Sequence, residues 1–140
     1  MERERLKRYK DKIHVINIRK GEVEVWREGF FNDSKTKLAS YKAFQEIAEG
    51  ILDISAMLVK DAKTLPADDY TNADKLVQLK IIDQSLLGAL KDINGLRNRI
   101  IHEYNGFDEK TAQESMHRLL PKVADIIKGV EQWISKHWHE

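Results

Sequence analysis

An all-α, up-and-down bundle of four to five helices is the fold class that this sequence predicts, on three observations. Apolar residues recur every three or four positions along most of the chain, which is the period of a helix with one buried face. Only two prolines, Pro66 and Pro121, interrupt 140 residues. The connections between periodic stretches are short, which favours antiparallel neighbours. A chain of this length fits one domain, 1–140, with a sizeable core.

The first helix is expected over roughly 3–27, where Leu6, Tyr9, Ile13, Ile16 and Val23 recur at helical spacing. Gly21 and the alternation Val23-Glu24-Val25 weaken its second half, so a short extended segment there is the alternative. Residues 29–33 read as a turn, and Asp33 or Ser34 can cap the helix that follows. That second helix, about 34–62, carries Leu38, Tyr41, Phe44, Ile47, Ala48, Ile51, Leu52, Ile54, Ser55, Leu58 and Val59, a stripe broad enough to be largely buried. Gly50 in its middle costs about 1 kcal/mol relative to alanine, which suggests that another helix approaches closely there. Residues 63–70 read as a loop.

A short helix is expected near 72–81, capped by Thr71 or Asn72. The fourth, about 84–104, turns Leu86, Leu87, Leu90, Ile93, Leu96, Ile100 and Ile101 inward, and Asn105-Gly106 tolerates the left-handed backbone that ends it. Asp108 caps the last helix, 111–138, along which Met116, Leu119, Leu120, Val123, Ile126, Ile127, Val130, Trp133 and Ile134 recur. Pro121 falls inside this helix, where its ring displaces the carbonyl one turn earlier and predicts a kink. Several helices are apolar over more than half their circumference. A lone chain would leave part of that surface wet, so a homodimer is expected, a deep single core being the other use of the same breadth.

Composition narrows the function. Hydrophobic residues at 41% and charged residues at 34% suit a soluble helical protein. No stretch approaches the roughly 20 apolar residues that cross a bilayer, so no membrane is expected. The first five residues are too charged for a secretory signal. With no cysteine, disulfides are excluded and a cytoplasmic location is the default. A net charge of +1 rules out a broad electrostatic glove for nucleic acid, so any such contact is local. The basic run Arg3, Arg5, Lys7, Arg8, Lys10 and Lys12 reads first as a solvated helix face. Nothing calls for a cofactor or metal: no glycine-rich phosphate loop, serine elbow or paired catalytic carboxylates are visible.

One stretch does carry chemistry. Arg97-Asn98-Arg99-Ile100-Ile101-His102-Glu103-Tyr104 places an arginine, a histidine and a tyrosine at the end of the fourth helix. Arginine grips phosphate with a planar, permanently charged fork, and histidine exchanges protons near neutral pH. Together these groups can cleave RNA without a metal. Cations near a helix C-terminus are also favoured by the helix dipole alone, which is the structural explanation of the same residues. Arg97 and His102 lie five residues apart, about 140° around an ideal helix. Either the last turn loosens, or the groups converge in a cleft on a two-fold axis; the dimer expectation favours the second.

The pattern R-x-x-x-x-H-x-Y, with Asn98 directly after Arg97, resembles the HEPN superfamily, and more narrowly the HepT-like toxins paired with MNT-type minimal nucleotidyltransferase antitoxins. The likeness extends to Ala48-Glu49-Gly50-Ile51-Leu52-Asp53-Ile54 on the second helix, to the Gly-Phe-Asp after the motif and to the apolar last helix. It departs at Val23-Glu24-Val25-Trp26 and in the loop 63–71. The resemblance implies an all-α homodimer with an RNA-cleaving cleft at its interface, Arg97 and His102 as catalytic residues, and Tyr104 as the site where the partner enzyme attaches AMP. RNA, with transfer RNA among the candidates, is then the substrate and the nucleotidyltransferase the partner. Asn98 would hold the phosphate or the imidazole, and Tyr104 would sit at the rim. Asp53, a carboxylate on a mostly apolar helix, would orient Arg97 or His102, or pair with a lysine elsewhere. The contrasting reading is a non-catalytic helical module that binds nucleotide or protein beside a nucleotidyltransferase. His117 beside Arg118, the C-terminal His137, His139 and Glu140, and the cluster of Trp26, Phe30 and Phe31 with Arg27 and Lys35 are read mainly as surface, chain end and bundle-end packing.

Overall fold

In the computed structural model, which describes residues 2–103, 106 and 108–137, the chain forms five helices and one 3-10 turn. They are α1 (Arg3–Val25), α2 (Ser34–Asp61), α3 (Asp69–Gln78), the turn Gln84–Leu86, α4 (Leu87–Glu103) and α5 (Glu109–His137). No strand occurs among the described residues. Val23-Glu24-Val25 completes α1 rather than leaving it, because Val23 is buried in the core and holds the last turn in place.

Helix α2 is the hub, packing against α1, α3 and α4, while α5 closes the bundle against α4 and α1. One continuous core joins Tyr9 and Ile16 of α1, Phe44, Ile47, Ile51 and Leu58 of α2, Ile93 of α4, and Met116 and Val123 of α5. Each such side chain contributes about 1.5–3 kcal/mol by leaving water. Leu38, expected inward, is 54% exposed. It stands nine residues before Ile47, about 180° around the helix, and so shares the polar side of α2.

Helices α1 and α2 run antiparallel, and a ladder of polar pairs shows their register. Arg5 Nε donates to Asp61 Oδ2 at 3.0 Å, Lys12 meets Asp53 at 3.1 Å and Arg19 pairs with Glu46, each step up α1 being a step down α2. The buried Tyr9 hydroxyl donates to the same Asp61 oxygen at 2.6 Å, and burial followed by that carboxylate pushes the phenol's pKa upward. Part of the basic N-terminal run is therefore engaged with α2 rather than solvated. Midway along the ladder the helices touch at Gly50, where a Cβ would lie 2.8 Å from Ile16 Cγ1. The close approach inferred from that glycine is real.

Asp33 caps α2, its carboxylate accepting from Lys35 N at 3.1 Å and Thr36 Oγ1 at 2.9 Å. The short third helix starts three residues earlier than its pattern suggests. Asp68, not Thr71 or Asn72, is its cap and accepts from Thr71 N at 2.8 Å. Asn72 is instead buried, bonding both the N–H and the carbonyl of Ala67 and so pinning the loop that precedes α3. Asp108 precedes α5 and accepts from Lys110 N at 3.0 Å. α5 continues through Pro121, which faces solvent. Of the residues proposed to end α4, Asn105 lies outside the described residues and Gly106 is in a turn.

The C-terminal end of α1 and the first third of α5 meet at His117, half-buried near Glu24 and Arg27. Burial, then Arg27, lowers its pKa, and Glu24 opposes the shift.

Two predictions follow from this packing. Gly21 has open space around its Cβ position, so Gly21→Ala should raise stability by about 0.5–1 kcal/mol, whereas Gly50→Leu should overpack the α1–α2 contact and lower it by about 1–3 kcal/mol; urea denaturation of both variants measures this. Because the folded chain holds His117 below its unfolded value of about 6.5, its contribution to stability is complete above that pH and is lost as pH falls through the folded value. Urea midpoints from about pH 8 down to about pH 5 should therefore fall less steeply for His117→Gln than for the wild type.

Candidate active site

Helix α4 presents its motif on two sides. Arg97 lies on the side that faces α2 and is part-buried, whereas His102 is exposed on the outer side. No hydrogen bond or ion pair joins the two among the described residues, as the roughly 140° between them requires. Tyr104 lies outside the described residues, as do His139 and Glu140.

The guanidinium of Arg97 is held from two directions. Its Nη1 donates to Asn98 Oδ1 at 3.0 Å, and its Nη2 stands 3.8 Å from Glu49 Oε1 on α2. Asn98 thus orients the arginine, not the imidazole. Glu49 is itself braced: Gln45, one turn earlier on α2, donates from Nε2 to the same Oε1 at 2.8 Å. Among the described residues Arg97 Nε is buried without a partner, and so is the Oδ1 of Asn94, three residues before it. Buried polar atoms of this kind cost roughly 1–3 kcal/mol each and mark places where packing has not been optimised for stability alone.

Asp53 does not reach Arg97 or His102. Its carboxylate is exposed and meets Lys12 of α1, the lysine pairing held open by the sequence. The carboxylate beside Arg97 is Glu49, one turn earlier. The sequence carried a signal for it, an acidic residue next to the helix-contact glycine Gly50, but not its azimuth relative to α4. Gln45 and Asn94 carried no signal beyond polarity on mostly apolar helices.

The outer side of α4 forms a second polar surface. Lys91, Arg99 and Arg118 line a groove of about 330 Å³ with Tyr70, between α4 and α5. Lys91 pairs with Asp74 at 3.0 Å and Arg118 with Asp92 at 3.4 Å. His102 stands three residues after Arg99 and so flanks this groove by helical spacing. Among the described residues no three His, Asp or Glu side chains gather closely enough to hold a metal ion, and no helix is long and apolar enough to cross a membrane.

His117, His137 and the aromatic cluster at the bundle end are committed elsewhere. His117 belongs to the α1–α5 contact. His137 stacks on Trp133 with ring centroids 4.4 Å apart. Phe30 is buried and packs edge-on against Tyr41 and Phe31, so the Trp26-Phe30-Phe31 cluster closes the bundle end, with only Phe31 exposed.

The family model described as Ribonuclease HepT-like matches residues 5–130. Two Archaeoglobus fulgidus proteins provisionally assigned as RNases are similar. One is 33% identical, the match covering 89% of this chain and 99% of the relative. The other is 41% identical over 88 residues, 63% of this chain and 67% of the relative. Among solved structures, a tri-AMPylated Shewanella oneidensis HEPN toxin in complex with MNT antitoxin has a TM-score of 0.83, with 19% identity over 94% of this chain and 99% of that one. A toxin–antitoxin structure with AMP-PNP has a TM-score of 0.81 at the same identity, covering 93% of this chain and 99% of that one. At that identity the structural likeness speaks for the fold.

Proposed function

The chain belongs to the HepT-like ribonuclease family, and from that premise we propose that it is a metal-independent endoribonuclease, the toxin half of a toxin–antitoxin pair, which cuts RNA as a homodimer. The observation that carries this reading is the guanidinium of Arg97, part-buried and oriented by Asn98 and Glu49 on the helix that also bears the exposed His102. An arginine serving only the helix dipole would need neither partner.

The reaction is attack of a ribose 2′-oxygen on the adjacent phosphorus. The P–O5′ bond breaks, leaving a 2′,3′-cyclic phosphate and a free 5′-hydroxyl. One imidazole takes the 2′ proton and another protonates the departing 5′-oxygen, contributions of about 10²–10⁴-fold each. Arg97 binds the non-bridging oxygens, an attraction that grows as charge gathers on them. Since Arg97 and His102 of one chain diverge, a two-fold partner is needed to bring them to one phosphate, and it also supplies the second histidine. Val15 and Ile18, each 45% exposed on one line of α1, are apolar surface consistent with such pairing. In the α4–α5 groove Lys91 and Arg118 are already paired with Asp74 and Asp92, so an RNA phosphate binding there would exchange with those carboxylates; transfer RNA is among the candidate substrates.

Silencing follows from the same electrostatics. An AMP group on Tyr104, attached by a partner nucleotidyltransferase of the MNT type, adds a phosphodiester charge two residues from His102, which repels RNA and fills the cleft. The solved toxin–antitoxin relatives support that partnership.

Purified protein should cut RNA in EDTA, and His102→Ala and Arg97→Ala should each lower the rate by at least about 10²-fold without changing the thermal melt; wild-type rates in either variant would dispose of the assignment. Mixing the two inactive variants should leave activity well below wild type, because each mixed dimer keeps only one of the two imidazoles that the shared cleft uses; recovery to wild-type rates would overturn the two-histidine step. Incubation with the cognate nucleotidyltransferase and ATP should add AMP mass to the wild type and not to Tyr104→Phe, with RNA cleavage lost only in the former.

A further inference from the structure

We propose that Glu49, braced by Gln45, is a positioning residue that sets the plane of the Arg97 guanidinium while leaving its fork free for phosphate. The proposal rests on the reading of Arg97 as the phosphate-binding cation. Three distances support it. Glu49 Oε1 lies 3.8 Å from Arg97 Nη2, close enough for an ion pair and too far for a hydrogen bond. The same oxygen accepts from Gln45 Nε2 at 2.8 Å. On the other side, Arg97 Nη1 donates to Asn98 Oδ1 at 3.0 Å.

The lengths matter because a catalytic arginine faces conflicting demands. A carboxylate in full bidentate contact would hold the fork well but occupy the donors that a phosphate needs. Without any carboxylate, a long side chain would sample many rotamers and lose part of its binding energy to ordering. A carboxylate tethered by its own amide donor, one helical turn away on the same helix, resolves this. Gln45 keeps Glu49 from collapsing onto Arg97, and the remaining attraction at 3.8 Å biases the guanidinium without sequestering it. Among the described residues Arg97 Nε meets no acceptor, so protein groups do not saturate the head group. Other carboxylates on this side of α2 do not compete, since Glu46 is engaged by Arg19 and Asp53 by Lys12.

The test uses the full-length protein and two independent readouts. In nitrogen-15 spectra, hydrogen exchange at the Arg97 guanidinium should accelerate about tenfold in Glu49→Gln, less in Gln45→Ala, and not in the control Glu46→Gln. In RNA cleavage, Glu49→Gln should lower kcat about 10- to 100-fold with a much smaller change in KM, the effect of a misplaced transition-state contact. Combined with Arg97→Ala it should cause no further loss. Unchanged Arg97 exchange in Glu49→Gln, or losses that multiply in the double variant, overturns the proposal. A wild-type protein that does not cut RNA would refute the ribonuclease reading, and the exchange measurement would still decide whether Glu49 positions Arg97.

Discussion

A narrow polar arc on α2 governs how this molecule is put together. The helix is buried against α1, α3 and α4, and its polar residues Lys42, Gln45, Glu46, Glu49 and Asp53 all fall within about 100° of its circumference. Along that arc α2 meets charge from two neighbouring helices. Asp53 and Glu46 lie on the edge turned toward α1 and receive Lys12 and Arg19. Glu49 and Gln45 lie on the edge turned toward α4 and receive Arg97. One stripe therefore holds the α1–α2 register and orients the candidate phosphate-binding cation.

The contact at Gly50 makes this division possible. With no Cβ, α2 lets Ile16 of α1 sit directly against its backbone, which brings the two helices close enough for their polar side chains to pair across the seam. A bulkier residue would push α1 outward and disengage the ladder above and below. The groove left beside the seam, about 400 Å³ with Ile16 and Gly50 at its floor and Glu49 on its wall, is the outer side of the same construction. The α1–α2 contact and the surroundings of Arg97 thus share a single helix, with Glu49 one residue from the glycine at the seam.

Much of the fold was legible because helical periodicity depends only on local sequence. The apolar stripes of α1, α2, α4 and α5 are long enough that their period identifies them unaided, and Gly50 declared the close approach because a glycine mid-helix is otherwise unfavourable. The failures have local causes. Asn72 looks like a cap by residue type, yet its side chain is taken by Ala67 and the cap falls to Asp68. Leu38 counts as apolar in any stripe but sits on the arc of Lys42 and Glu49, where it is left in water.

The site divides in the same way. Sequence alone determined that α4 bears an arginine, an asparagine and a histidine at spacings that put Arg97 and His102 on different sides of a regular helix, and the structure keeps that helix regular through Glu103. Only the tertiary structure decided which carboxylate meets that arginine. Glu49 and Asp53 are one turn apart and nearly aligned, and their separation depends on the azimuth at which α1 and α4 pack around α2. That angle is set by the sum of all core contacts, a quantity spread over the whole bundle and written at no single position.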